Sequence, residues 1–69
     1  MCKNVKIETE YIRLDDLLKL VGAVNTGGHA KFVIQSGEVN LNGEICTQRG
    51  KKLRPGDTVE YLNKIYKVE

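Results

Sequence analysis

The chain has 69 residues, of which 41% are apolar and 29% are charged, and its formal net charge is +2. This length allows one domain over residues 1–69 and argues against a second domain or a deeply enclosed active site. No apolar stretch approaches the roughly 18 residues that a membrane helix needs, and residues 1–6 lack the apolar core of a secretory signal. We therefore expect a small cytoplasmic domain without a membrane partner.

Few residue types suited to catalysis or metal binding are present. Cys2 and Cys46 have no second cysteine at the spacing of a zinc site, so reduced thiols are favoured, with a disulfide between them as the alternative. His29 is the only histidine, and no nucleophile stands at fixed spacing from it. The sequence therefore predicts no enzyme, no metal, no cofactor and no small-molecule substrate.

A short strand and then a helix begin the predicted secondary structure. Val5 and Ile7 alternate with charged residues, which predicts a half-buried edge strand. The next apolar residues recur at helical spacing, and they are Leu14, Leu17, Leu18 and Val21. Asp15 and Asp16 in the first turn complement the helix dipole, and Gly22 can take the left-handed conformation that ends a helix.

A second helix is predicted after the loop at residues 25–28. Asn25 or Thr26 would cap its start, and Gly37 would end it. Its inward face would carry Ala30, Val33 and Ile34. Two short helices joined by a glycine-containing turn form a helical corner, which needs a sheet to bury its apolar faces.

The pair Asn42-Gly43 predicts a β-hairpin. A two-residue turn would place Asn40 opposite Ile45. A three-residue loop, with Gly43 as a bulge, would instead place Val39 opposite Ile45. We favour the bulge.

A second hairpin is predicted at the end of the chain. Pairing across a two-residue Asn63-Lys64 turn places Glu60 opposite Lys67. The face turned to the core would carry Val59, Tyr61, Tyr66 and Val68. The whole pattern predicts an α+β fold in which two short helices pack on a small, mainly antiparallel sheet of about four or five strands.

A cationic cluster stands out from the rest of the chain. Residues 49–54, here called the basic segment, hold four of the eleven Lys and Arg residues. These four are Arg49, Lys51, Lys52 and Arg54. No acid lies nearer than Glu44 on one side or Asp57 on the other. Such a concentration in a chain of low net charge predicts a polyanionic partner, and the alternative is an ordinary solvated run of charge.

Several short sequence motifs follow one another in a specific order along the chain. They are Leu14-Asp15-Asp16-Leu17-Leu18-Lys19-Leu20, Ala30-Lys31 with Val33-Ile34 and Gly37, Val39 with Asn42-Gly43, and Pro55-Gly56-Asp57. With this order, residues 14–61 resemble the alpha-L RNA-binding domain of the S-four type, above all its small stand-alone bacterial members. The resemblance implies an alpha-L fold that binds structured RNA, often ribosomal RNA, through helix two and the adjoining loops, without catalysis.

The resemblance and the charge pattern together give the candidate RNA contacts. They are Lys31, Arg49, Lys51, Lys52, Arg54, Gly27, Gly28 and His29. Many family members carry Arg or Lys in the turn before helix two, where this chain has Thr26-Gly27-Gly28-His29. Either this chain makes no phosphate contact at the turn, or backbone amides at a glycine-opened helix start replace the cationic side chain. The plainer interpretations are a glycine pair that only makes the turn, and exposed side chains at His29 and Lys31.

The sequence thus predicts a non-catalytic protein that contacts phosphates of structured RNA through the basic segment, placed beside helix two. Ribosomal RNA or the ribosome is the candidate partner, and DNA is a variant because phosphate charge is common to both. Phe32 is the one aromatic residue expected to be exposed, on helix two. The alternative function is therefore a protein-interaction adaptor that uses this helix face and the basic segment.

Overall fold

The computed structural model describes residues 2–69 and contains two helices and seven strands. In chain order they are β1 Cys2–Val5, β2 Ile12–Arg13, α1 Leu14–Leu20, α2 Gly27–Gln35, β3 Asn40–Leu41, β4 Glu44–Ile45, β5 Lys52–Leu53, β6 Thr58–Tyr61 and β7 Lys64–Val68. Five strands form one sheet in the order β1-β7-β6-β3-β4, in which only the β1–β7 pair is parallel. The predicted α+β architecture is confirmed. The separate β2–β5 pair was not predicted.

The two helices bury the predicted faces against the sheet. The buried helix residues are Leu14, Leu17 and Leu18 of α1 and Ala30, Val33 and Ile34 of α2. Gly22 and Gly37 follow the two helices with φ of 77° and 80°, the left-handed conformation expected of them. The Thr26 side chain accepts the N–H of His29 at 3.1 Å and so caps α2. Within residues 2–69, neither helix is long and apolar enough to cross a membrane.

The β3–β4 hairpin has a two-residue turn, so the predicted bulge is wrong. Asn40 lies opposite Ile45, and the turn residues Asn42 and Gly43 have φ of 51° and 87°. Asparagine and glycine both tolerate these positive values, which the tight type I′ turn requires. The Asn42 side-chain oxygen also accepts the backbone N–H of Thr58 at 2.9 Å, which holds the turn against β6.

The β6–β7 hairpin turns one residue earlier than predicted. Leu62 and Asn63 form the turn with φ of 52° and 64°, and Glu60 lies opposite Ile65 instead of Lys67. The β7 residue opposite each β6 residue has changed by two positions. Because side chains alternate between the faces with a period of two, every side chain stays on its predicted face. That face is confirmed by the buried residues Val59, Tyr61, Tyr66 and Val68.

The outer strands place the two cysteines at opposite edges of the five-stranded sheet. Cys2 begins β1, which is the predicted edge strand, and Cys46 directly follows β4 at the other edge. Four strand spacings separate these edges, roughly 19 Å. A disulfide allows at most about 7 Å between Cα atoms, so the two thiols are too far apart to pair, and both are free.

Candidate nucleic-acid interface

The basic segment lies against β2 and the start of α1. Lys52 and Leu53 of the segment form β5, in which Lys52 pairs with Arg13 and Leu53 pairs with Ile12. Leu53 is fully buried, whereas the other residues of the segment are exposed. The sequence prediction placed this segment beside helix two. The contacts observed run to β2 and α1 because Leu53 joins the core there.

Backbone hydrogen bonds fix the segment at the first turn of α1. The N–H of Leu14 donates to the Lys51 carbonyl at 2.9 Å, and the N–H of Asp15 donates to the Arg49 carbonyl at 3.1 Å. The first amides of a helix have no partner within the helix, and here the basic segment supplies their acceptors. Its backbone is therefore held in place while its cationic side chains face solvent.

Arg13 adds a fifth cation to this surface. Its Nη2 donates to the Asp15 carboxylate at 3.1 Å, and it lies beside Gly50, where an added Cβ would be 3.6 Å from Nη2. Asp15 is only 7% exposed and also accepts the N–H of Asp16 at 2.8 Å. Sequence reasoning missed Arg13 because the residue precedes the helix and stands far from the basic segment in sequence.

We expect Asp15→Ala to lower the free energy of unfolding by about 1–2 kcal/mol, because it removes the buried acceptor of two hydrogen bonds. The amides of residues 14 and 15, which hold the basic segment, should then exchange faster with deuterium in native-state hydrogen exchange. Asp16→Ala is the matched control, because its carboxylate is exposed and pairs only with Lys19 at 3.3 Å. Equal effects of the two variants would contradict an anchoring role for Asp15.

Lys52 and Arg54 of the basic segment make further contacts. The Lys52 Nζ lies 4.9 Å from the centroid of the Tyr11 ring, a cation–π distance. The N–H of Arg54 donates to the Asp57 carboxylate at 2.9 Å, and the N–H of Asp57 donates back to the Arg54 carbonyl at 3.0 Å. Asp57 thus closes the turn through Pro55.

The remaining candidate residues lie in the first half of α2. Gly27 and Gly28 open the helix, and the side chains of His29 and Lys31 are exposed. Lys19, in the last turn of α1, brings its Nζ to 4.0 Å from where a Cβ of Gly27 would be. This cation, which sequence reasoning also missed, stands near the turn that lacks its own Arg or Lys. The candidates thus form two groups, one at the first turn of α1 and one beside its last turn.

Across residues 2–69, no three His, Cys, Asp or Glu side chains come together in a way that could hold an ion. The structure does bring exposed cationic side chains together at the first turn of α1, where backbone hydrogen bonds hold the basic segment.

Comparison with known proteins shows relatives over nearly the whole chain. The family model of the S4 domain matches residues 5–69. The chain is 42% identical over 60 residues to the probable ribosome maturation protein RlbA of Bacillus subtilis (strain 168). The aligned region covers 87% of this chain and 84% of RlbA. It is 37% identical over 51 residues to the putative RNA-binding protein YbcJ of Escherichia coli (strain K12), over 74% and 73% of the two chains.

A solved structure agrees with the sequence relatives. The solution structure of YbcJ from E. coli, described as revealing an alpha-L motif involved in RNA binding, superposes with a TM-score of 0.68 at 30% identity. The match covers 97% of this chain and 84% of YbcJ. On its sequence, its helical corner and its sheet, the chain belongs to the S4 domain family and has the alpha-L fold.

Proposed function

We propose that this chain is a non-catalytic RNA-binding protein that holds structured RNA by its phosphates, chiefly through the basic segment. The observation that carries the proposal is the anchoring of that segment by Leu53 and by the hydrogen bonds to the first turn of α1. A cationic loop that is already ordered loses little conformational freedom on binding. Arg and Lys side chains on such a loop suit phosphate oxygens, which position a protein on RNA.

The aromatic residues favour folded RNA over a single strand. Single-strand binders stack successive bases on exposed aromatic rings. Here Tyr61 and Tyr66 are buried in the core, and Tyr11 has Lys52 over its ring, which leaves Phe32 as the most exposed ring at 66%. The positions of the phosphates and the shape of a folded RNA are therefore the features that this surface is best suited to recognise.

The candidates beside the last turn of α1, here called the α2 group, are proposed as a second phosphate contact. They are Lys19, Gly27, Gly28, His29 and Lys31. Lys31 and His29 are exposed, and Gly27-Gly28 leave the start of the helix open to an anion. Lys19 supplies the charge that the turn itself lacks. An RNA that touches both groups would lie along α1, across a distance of roughly 10 Å for its seven residues.

Ribosomal RNA is the proposed target. The name of RlbA connects that relative with ribosome maturation, and the solution structure of YbcJ is described as revealing a motif involved in RNA binding. An adaptor function remains the second candidate, because Phe32 presents an exposed ring on α2 that RNA shape recognition does not need.

Ultraviolet crosslinking in cells that produce the protein tests both candidates. We expect the recovered RNA to be ribosomal, and the crosslinked peptides, identified by mass spectrometry, to include residues 49–54. Recovery of RNA no greater than from mock-purified cells, together with protein partners that survive nuclease treatment, would favour the adaptor. Ribosomal RNA crosslinked only through residues 27–31 would instead move the main contact to α2.

A further inference from the structure

An open groove borders the basic segment on the side of the β3–β4 hairpin. Its volume is about 460 Å³, which lies in the range of roughly 300–1,000 Å³ typical of small-ligand sites. Glu44 and Ile45 of the hairpin, the loop residues Thr47 and Gln48, and Lys51 of the basic segment line it. The groove is thus continuous with the proposed phosphate-binding surface through Lys51.

The chemistry of the groove differs from that of the surface beside it. Glu44, which lines the groove, carries a carboxylate, and this group repels phosphate and accepts hydrogen bonds from amino groups. Thr47 and Gln48 carry a hydroxyl and an amide, and Leu41, which pairs with Glu44 and shares its face of the hairpin, adds a partly buried apolar residue to the lining. A carboxylate acceptor, a hydroxyl and an amide that can each donate or accept, and an apolar contact together suit the polar edge and the flat face of a nucleobase.

The walls of the groove are fixed before any ligand arrives. On the loop side, the Cys46 N–H donates to the Val39 carbonyl at 3.0 Å, and the Cys46 thiol lies 3.9 Å from the Gln48 carbonyl that accepts its weak hydrogen bond. The same Gln48 carbonyl accepts the N–H of Lys51 at 3.1 Å. On the hairpin side, Asn42 is bonded to β6. A preformed groove lowers the cost of ordering on binding.

We propose that this groove takes one unpaired base of the RNA held by the basic segment, and that Glu44 selects bases with an exocyclic amino group. Adenine, cytosine and guanine carry such a group, whereas the one donor on the pairing edge of uracil is a ring N–H flanked by two carbonyl oxygens, which repel a carboxylate. Lys51 contacts the phosphate next to the bound base. This inference rests on the proposed function, because it needs an RNA backbone on the basic segment.

Four synthetic RNA hairpins that differ only in one bulged nucleotide test the base site by fluorescence anisotropy. The wild-type protein should bind the hairpins with bulged A, C or G about fivefold or more tightly than the hairpin with bulged U, the lower end of what a good base contact gives. Glu44→Ala should remove this preference. Glu44→Gln should reduce it, because an amide can pair with either kind of base edge.

Glu8→Ala is the matched control, because Glu8 is an exposed acid that does not line the groove. Both alanine variants gain one unit of positive charge, so Glu8→Ala should bind all four hairpins slightly more tightly. Glu44→Ala should show this gain in full only with bulged U, because with A, C or G it also loses the base contact. Only Glu44→Ala should also lose the discrimination against bulged U. In nuclear magnetic resonance spectra, the amides of residues 45–48 should shift with the A-bulge hairpin and stay in place with a fully paired one.

Equal affinity of the wild-type protein for all four hairpins overturns the base site and leaves the proposed RNA binding intact. A preference that persists in Glu44→Ala shows that another residue reads the base, and it overturns the role of Glu44. If none of the hairpins binds and no RNA is recovered by crosslinking, the proposed function fails and the base site fails with it.

Discussion

Replacing Leu53 by alanine is expected to lower the free energy of unfolding by about 2–5 kcal/mol, the range for truncating a buried leucine. Leu53 is 0% exposed and is the only buried residue of the basic segment. A domain of this size has a total stability near the low end of about 5–15 kcal/mol. The decrease is therefore large enough to leave part of the protein unfolded at physiological temperature.

Urea denaturation followed by far-ultraviolet circular dichroism measures this change. Leu20→Ala is the matched control, because it deletes the same atoms from a side chain that is 61% exposed, and it should shift the free energy by less than about 0.5 kcal/mol. Similar midpoints for the two variants would show that the basic segment is not held by the core. Its cations would then be mobile, and the segment would not be ordered in advance for RNA.

The helices could be predicted from the sequence because their signals are local. Leu14, Leu17 and Leu18 recur at helical spacing, Thr26 supplies the cap of α2, and Gly22 and Gly37 supply the conformation that ends each helix. Each of these features depends on residues within a few positions of one another. Tertiary packing had only to bury faces that were already defined.

The strand pairings depended on information that the local pattern does not contain. The β3–β4 turn is the two-residue alternative that Asn42-Gly43 already offered. The β6–β7 turn was misplaced because it uses Leu62, whose residue type gives no signal of positive φ. The β2–β5 pair joins two-residue strands that are far apart in sequence. Runs this short carry no detectable period.

The charge of the candidate site could be predicted from the sequence, but the contacts that its residues make in the fold could not. The four cations of the basic segment are adjacent in sequence, so composition alone reveals them. Arg13 joins the basic segment only after folding, when it lies beside Gly50. Lys19 likewise joins the α2 group only after folding, when it lies near Gly27. The groove beside Glu44 likewise appears only when the hairpin and the following loop are placed together.

Reversing two charges in the basic segment should have the largest effect on RNA binding. In Lys51→Glu/Lys52→Glu, two phosphate contacts become repulsive, and we expect the affinity for an RNA hairpin to fall about 100-fold or more at low salt. Removing one phosphate contact should also flatten the dependence of log affinity on log salt by about one unit, so the slope should change by about two in the double variant. Fluorescence anisotropy over roughly 50–200 mM salt measures both quantities.

The control must change the net charge equally without touching the basic segment. Lys3→Glu/Lys64→Glu does so, because both lysines are exposed and line a surface beside Val21, at the end of α1 opposite to the basic segment. No residue of the basic segment or of the α2 group lines that surface. This control should therefore weaken the affinity only a few-fold and keep most of the salt slope, because exposed charges are screened over about 10 Å. Equal decreases in the two double variants would mean that RNA responds to the overall charge of the protein and not to the anchored segment. Unchanged affinity in Lys51→Glu/Lys52→Glu, with the fold intact by circular dichroism, would remove the basic segment from the interface and leave the α2 group as the remaining phosphate contact.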